Sequence, residues 1–176
     1  MDSAETVSGQ STTGAAQPEA PMQPVRRSVR VKATPERAFR VFAEEMDSWW
    51  PTSHHIGSSP MKAIVVERRA GGAIYTLQED GTKCPWATVL AWEPPHRFTF
   101  AWHVTPHWQY EADPHRCSEV EILFTPADDG MTLVELEHRH FERHGEGWEA
   151  MHDAVGSEGG WNGLLVFYAA KAGESA

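Results

Sequence analysis

Ten histidines are spread along this chain of 176 residues, and their grouping sets out the chemistry open to it. His54-His55, His103 with His107, and His138-x-His140 followed by His144 stand close enough in sequence to act as metal ligands, with Cys117 or a nearby carboxylate to complete a set. Their spacing matches no specific zinc motif, and His138 and His140 bracket Arg139 near the end of a strand-like run, where solvated residues are common. No metal and no other cofactor is expected. A lone imidazole has a second use, since an ordinary pKa of about 6.5 suits general acid or base work, here with His138 in that role and His54 or Glu67 assisting. Nucleophilic catalysis lacks its parts: there is no G-x-S-x-G elbow, and Lys83-Cys84-Pro85 and Arg116-Cys117-Ser118 have no recognisable activating context. Gly71-Gly72, Gly145-x-Gly147 and Gly159-Gly160 are too short to cradle phosphate and fit turns or a helix break. Gly71 and Gly72 are expected to supply positive φ angles at a tight turn, with Glu67 and Arg69 as a solvated strand end beside it.

Whatever these side chains do, a scaffold must hold them, and its clearest signal is Trp86 to Trp102, WATVLAWEPPHRFTFAW. Pro94 and Pro95 cannot donate ladder hydrogen bonds, so Glu93-Pro94-Pro95-His96-Arg97 reads as a turn. Trp92, Phe98, Phe100 and Trp102 suit a pleated, half-buried surface on either side of it. So much aromatic surface calls for a covering helix or a cavity. Beside the hairpin strands at 86–93 and 98–104, further strands are expected at 27–32, 63–68, 73–78, 119–125 and 131–140, punctuated by Gly71-Gly72, Asp80-Gly81 and Asp128-Asp129-Gly130. Thr34 as N-cap and Pro35 at the first helical position start a helix. Its apolar stripe of Ala38, Phe39, Phe42 and Met46 ends near Asp47, before Trp49-Trp50-Pro51. Trp148, Met151 and Val155 begin a final amphipathic helix, interrupted at Gly159-Gly160 and continued by Trp161, Leu164, Leu165 and Tyr168.

Strand alternation assigns faces. Glu119 and Glu121 should meet water, which turns Val120, Ile122 and Phe124 inward; Glu135 and Glu137 do the same for Val134, Leu136 and His138. An inward imidazole needs a hydrogen-bond partner or it costs about 1 to 3 kcal/mol, so a protein group, a water or a ligand must satisfy His138. Phe98, Phe100 and Trp102 share one face, inward, with Thr99, Ala101 and His103 opposite. Trp49, Trp50, Trp102, Trp148 and Trp161 either line an aromatic cavity or fill it.

The formal net charge of -10 argues against a nucleic-acid or anionic-membrane surface, because the basic residues such a surface needs are scattered. No apolar run is long enough to cross a bilayer, and the first residues lack the basic start and apolar core of a signal peptide, so a cytoplasmic protein is expected. Cys84 and Cys117 then read as reduced thiols, although a disulfide between them stays open. Residues 1–24, built mainly from Ser, Thr, Ala, Gln, Gly, Pro and Glu, cannot offset their ordering entropy and are expected to be a disordered tail, leaving one domain at 25–172.

The ordered set Thr34-Pro35-Glu36-Arg37-Ala38-Phe39, Trp49-Trp50-Pro51, Glu67-Arg68-Arg69-Ala70-Gly71-Gly72, Trp92-Glu93-Pro94-Pro95-His96-Arg97, Leu136-Glu137-His138 and Gly159-Gly160-Trp161 resembles the SRPBCC (START-like, helix-grip) superfamily. Within it the chain is most similar to the branch named for activators of the heat-shock-protein-90 ATPase. The resemblance implies an α+β helix-grip fold, a curved antiparallel sheet of about seven strands wrapped around a long C-terminal helix, with an internal hydrophobic cavity. Its members bind lipids, polyketides or other apolar molecules, and a minority are cyclases or hydrolases. The expected function is non-catalytic binding of a small hydrophobic ligand between sheet and helix, by Trp49, Trp50, His54, Phe100, Trp102, Val120, Ile122, Phe124, Leu136, His138, Trp148, Trp161 and Leu165. A co-chaperone-like activator of a heat-shock ATPase is the alternative, although the eukaryotic activators add a separate N-terminal domain where this chain has its polar tail. A polyketide cyclase-like or hydrolase-like enzyme is a further one. The expected partners are a small hydrophobic molecule and, on the second reading, a chaperone, with no nucleic acid or membrane, in a monomer or homodimer.

Overall fold

Charged residues alternate with apolar ones through 119–122 and, up to His138, through 134–138, so one side of each run must find a dry neighbour. They find it in a seven-stranded sheet, antiparallel throughout. The computed structural model describes residues 22–174, so the predicted tail at 1–24 lies outside the described residues except for its last three. The strands are β1 (Val25–Val31), β2 (Met61–Val66), β3 (Ala73–Gln78), β4 (Lys83–Glu93), β5 (Arg97–Trp102), β6 (Ser118–Pro126) and β7 (Thr132–Arg139). β2 to β7 form a meander, and β1 closes against β7 at the far edge.

Three register shifts, at Met61/Ala63, Ile74/Tyr75 and Val89/Ala91, fall within β2 to β5. Each places an unpaired residue in a ladder, and such bulges raise the local twist and bend the strand. The sheet therefore curls, and its concave face carries Phe98, Phe100 and Trp102, Val120, Ile122 and Phe124, and Val134, Leu136 and His138, all buried. Glu119, Glu121 and Glu137 face outward into a ladder of ion pairs with Arg139, Arg97 and Arg26. Thr99 and Ala101 face outward too, yet are buried, because β5 is the middle strand of the seven.

The first helix begins as its residues dictate: Thr34 Oγ1 accepts from the Arg37 amide and Pro35 stands at the first position of α1 (Pro35–Phe39). The apolar stripe continues through a π-helical turn at Arg40–Glu44 and a short 3-10 turn at Met46–Ser48, so only the opening of the expected helix is α-helical. The C-terminal helix that fills the grip is likewise in two parts, α2 (Trp148–Gly156) and α3 (Gly163–Ala172). Gly160 makes the break: its ψ of -134° is non-helical, and a Cβ there would stand 2.2 Å from the Val155 carbonyl oxygen. Arg27 of β1 spans the gap, donating to Gly156 O at 2.7 Å and to Asn162 Oδ1. At the Gly71-Gly72 turn the structure corrects the expectation for one residue. Gly71 has φ of 81°, whereas Gly72 is needed for its close approach to the Glu67 carbonyl, 2.5 Å from where a Cβ would sit.

One end of the grip is packed solid. Phe39, Phe42, Trp92, Phe98 and Phe124 meet mostly edge to face, and Tyr168 of α3 joins them 4.9 Å from Phe42. The Tyr168 hydroxyl donates to Ala38 O at 2.8 Å, and burial pushes its pKa well above the usual phenol value. Trp49 belongs to this end, with Nε1 on Val41 O at 2.9 Å and its ring 5.4 Å from Tyr168.

Candidate functional site

At the other end the grip is open. A cavity of about 410 Å³ lies among the loop after the first helix, β4, β5, the loop following β5, and the α2–α3 break. That is within the range of small-molecule sites. Five of the chain's eight tryptophans line it: Trp50, Trp86, Trp102, Trp108 and Trp161. Indoles in this wall hold one another, with Trp50 5.3 Å from Trp86 and 6.0 Å from Trp161, and Trp86 edge-on to Trp102 at 5.7 Å. Edge-to-face packing of that kind fixes each ring plane while leaving a face free. Val104, Val155 and Leu164 add aliphatic surface, and Ser53, His54, His55 and Ser157 supply the polar part.

His54 ties the rim together. Its Nε2 lies 3.0 Å from the Gly159 carbonyl, which can only accept, so Nε2 carries the proton and Nδ1 receives the Ser53 hydroxyl at 3.1 Å in the neutral ring. Trp50 Nε1 donates to the His54 carbonyl at 2.8 Å. Two buried polar atoms of cavity-lining residues find no partner among the described residues, Trp102 Nε1 and His55 Nδ1. The third such atom, Thr99 Oγ1, sits on the outward face of β5.

His138 stands behind the wall. Trp161 Nε1 donates to His138 Nδ1 at 3.1 Å, which leaves the ring proton on Nε2, directed at Ser118 Oγ at 2.8 Å; the Ser118 hydroxyl then donates to His144 Nε2 at 2.7 Å. An indole N–H cannot accept, so the whole chain of four groups has one polarity. Burial, then the neighbouring His144, holds the His138 pKa well below the usual imidazole value, and burial also lowers that of His144. Both rings are neutral in this arrangement.

Of the residues expected at the site, Trp50, His54, Trp102 and Trp161 lie on the cavity wall. Phe100, Val120, Ile122, Phe124, Leu136, Leu165 and Trp49 are packed core, His138 supports Trp161 from behind, and Trp148 is half-buried against His152. Alternation tells which face a residue takes but not how far along the grip it falls. The wall residues that pattern reading missed include Trp86, Trp108, His55 and Leu164. Trp86 is the unpaired residue of the bulge opposite Ile74/Tyr75, so it breaks the alternation that would have found it.

Among the described residues no three His, Cys, Asp or Glu side chains come together as a metal site. His103 is held by Thr88 Oγ1 and Glu111 O, and His107 is exposed. Both cysteines are free; burial raises the pKa of each, that of Cys117 to about 12. No helix among the described residues is long and apolar enough to cross a membrane.

The sequence matches the family model described as "Activator of Hsp90 ATPase homolog 1-like protein" over residues 32–166. No curated protein matches it. Among solved structures, an anthrahydroquino-γ-pyrone synthase is 37% identical, with a TM-score of 0.60 over 85% of this chain and 96% of that one. A self-sacrificing resistance protein from Micromonospora echinospora is 27% identical, with a TM-score of 0.57 over 85% of this chain and 93% of that one. The Aha1 dimer from Colwellia psychrerythraea shares the fold at 14% identity, with a TM-score of 0.56 over 86% of this chain and 97% of that one. Matched from just after β1 into α3, and with the curled sheet and gripped helix in place, the chain belongs to the Activator of Hsp90 ATPase homolog 1-like family of helix-grip proteins.

Proposed function

We propose that this protein binds a flat polycyclic aromatic molecule of the polyketide kind in the cavity at the open end of the grip. The observation that carries the reading is the wall itself: five indoles around about 410 Å³, with only a few polar groups. Indole faces select flat π-systems, because stacking adds about 0.5 to 1.5 kcal/mol per pair beyond the area buried. A fatty acyl chain would fill the same space without that gain. Similarity to an anthrahydroquino-γ-pyrone synthase supports the choice of occupant.

That relative also favours a second reading, in which the bound molecule undergoes ring closure. His54 and His55 on the cavity wall are then the candidate acid and base, in place of His138, which is fully occupied by Trp161 and Ser118. One experiment addresses both. Titration with the dihydroxyanthraquinone alizarin should quench tryptophan fluorescence saturably, whereas palmitate should not; a linear response to alizarin would sink the binding proposal. Liquid chromatography with mass spectrometry of an anthrahydroquinone precursor of the γ-pyrone, recovered after incubation, then separates the readings: a carrier returns it with retention and mass unaltered, and an enzyme returns a cyclised product of new retention, isomeric if closure is by addition and lighter by one water if closure is dehydrative.

A further inference from the structure

Trp108 differs from the other four indoles of the wall. They are at most 7% exposed, while Trp108 is 48% exposed. Its backbone has φ of 59°, in the left-handed region, where a bulky side chain is a genuine outlier. Neighbours enforce that conformation. The Trp108 amide donates to Thr105 O at 2.8 Å, Thr105 N donates to Gln109 O at 2.7 Å, and Thr105 Oγ1 accepts from His107 N and Gln109 N at 3.3 and 3.1 Å. The Val104–Tyr110 bridge closes the base of the loop.

Packing alone would not select this arrangement, since it strains the backbone and leaves half an indole in water. Outliers of this kind persist only where the surroundings over-determine them, and they gather at ligand clamps. Trp108 lines the cavity and is half exposed, so it stands where the cavity meets solvent. We infer that Trp108 is a ligand-contacting clamp, preformed at the cavity mouth at a standing cost to fold stability, whose indole covers the outer face of a flat aromatic occupant. This rests on the aromatic-binding reading above and adds the residue that decides how tightly such a molecule is held.

The test compares Trp108→Asn and Trp108→Phe with the wild type by thermal melting and alizarin titration. Asparagine tolerates a left-handed backbone. For W108N the melting temperature should rise by up to about 4 °C, while the apparent Kd for alizarin weakens at least roughly tenfold. W108F keeps a ring and should stay within about fivefold of the wild type. A Kd for W108N within about twofold of the wild type, or a melting temperature unchanged or lowered, would make Trp108 an ordinary surface or packing residue and overturn the inference. Should the wild type itself not bind alizarin, the aromatic-binding reading falls, and the melting comparison still decides the strain: an unchanged or lower melting temperature in W108N overturns it, and a rise supports it.

Discussion

Trp102 carries the most pointed consequence at the scale of single residues. Its indole N–H is a donor with no acceptor among the described residues, in a side chain that lines the cavity. A buried donor left in that state costs about 1 to 3 kcal/mol; the N–H is closed off from the cavity surface, so an oxygen on the occupant recovers part of that cost only when the Trp102 ring turns to meet it. Preference for anthraquinone over anthracene, its hydrocarbon parent, should therefore fall by about two- to twelvefold in Trp102→Phe, from a hydrogen bond worth about 0.5 to 1.5 kcal/mol. Parallel titrations of the two probes check this; an unaltered ratio would show that the N–H plays no part in recognition. Legibility at this scale was uneven. The inward turn of His138 followed from Glu135 and Glu137 alternating with it, and its need for a partner followed from burial. That the partners would be Trp161 and Ser118 did not, because Trp161 lies 23 residues away beyond a helix break.

At the scale of elements, β6, β7, the turn after β7 and the α2–α3 break are joined by the chain from Trp161 through His138 and Ser118 to His144. The polarity of that chain requires both imidazoles to be neutral. Because burial depresses both folded-state pKa values, the unfolded chain takes up protons the folded one cannot. Stability from this source is fully present above an imidazole pKa of about 6.5 and declines as pH falls below it toward the lower folded values. Glu111 and Glu142 oppose the shift of His144, while Arg116 reinforces it, and His152 adds to that of His138. Melting temperature should drop between neutral pH and about pH 5, and His138→Gln, which can accept from Trp161 and donate to Ser118 without titrating, should flatten that slope. A melting profile indifferent to His138→Gln would remove the network from the account. Elements were the most readable level of the sequence: β3 spans the expected 73–78, and Thr34-Pro35 opened the first helix as its caps require. The π-helical turn after Phe39 and the bulge at Trp86 were not legible, since both are set by how neighbouring elements pack rather than by local preference.

Across the whole molecule, a curled sheet closed on one side by packed aromatics leaves its volume at the other, and the central claim is that this open end is the binding site. Family and fold were legible because an ordered series of turns and caps constrains topology strongly. The candidate site was legible only as a tryptophan-rich inner face, since depth along the grip depends on bulges and a broken helix. The indole N–H region of a proton–nitrogen correlation spectrum tests the claim most directly, because each of the eight tryptophans gives its own signal there. On addition of alizarin, the signals of Trp50, Trp86, Trp102, Trp108 and Trp161 should shift, and those of Trp49, Trp92 and Trp148 should hold still. Shifts confined to the second group, or none at saturating probe, would contradict the account.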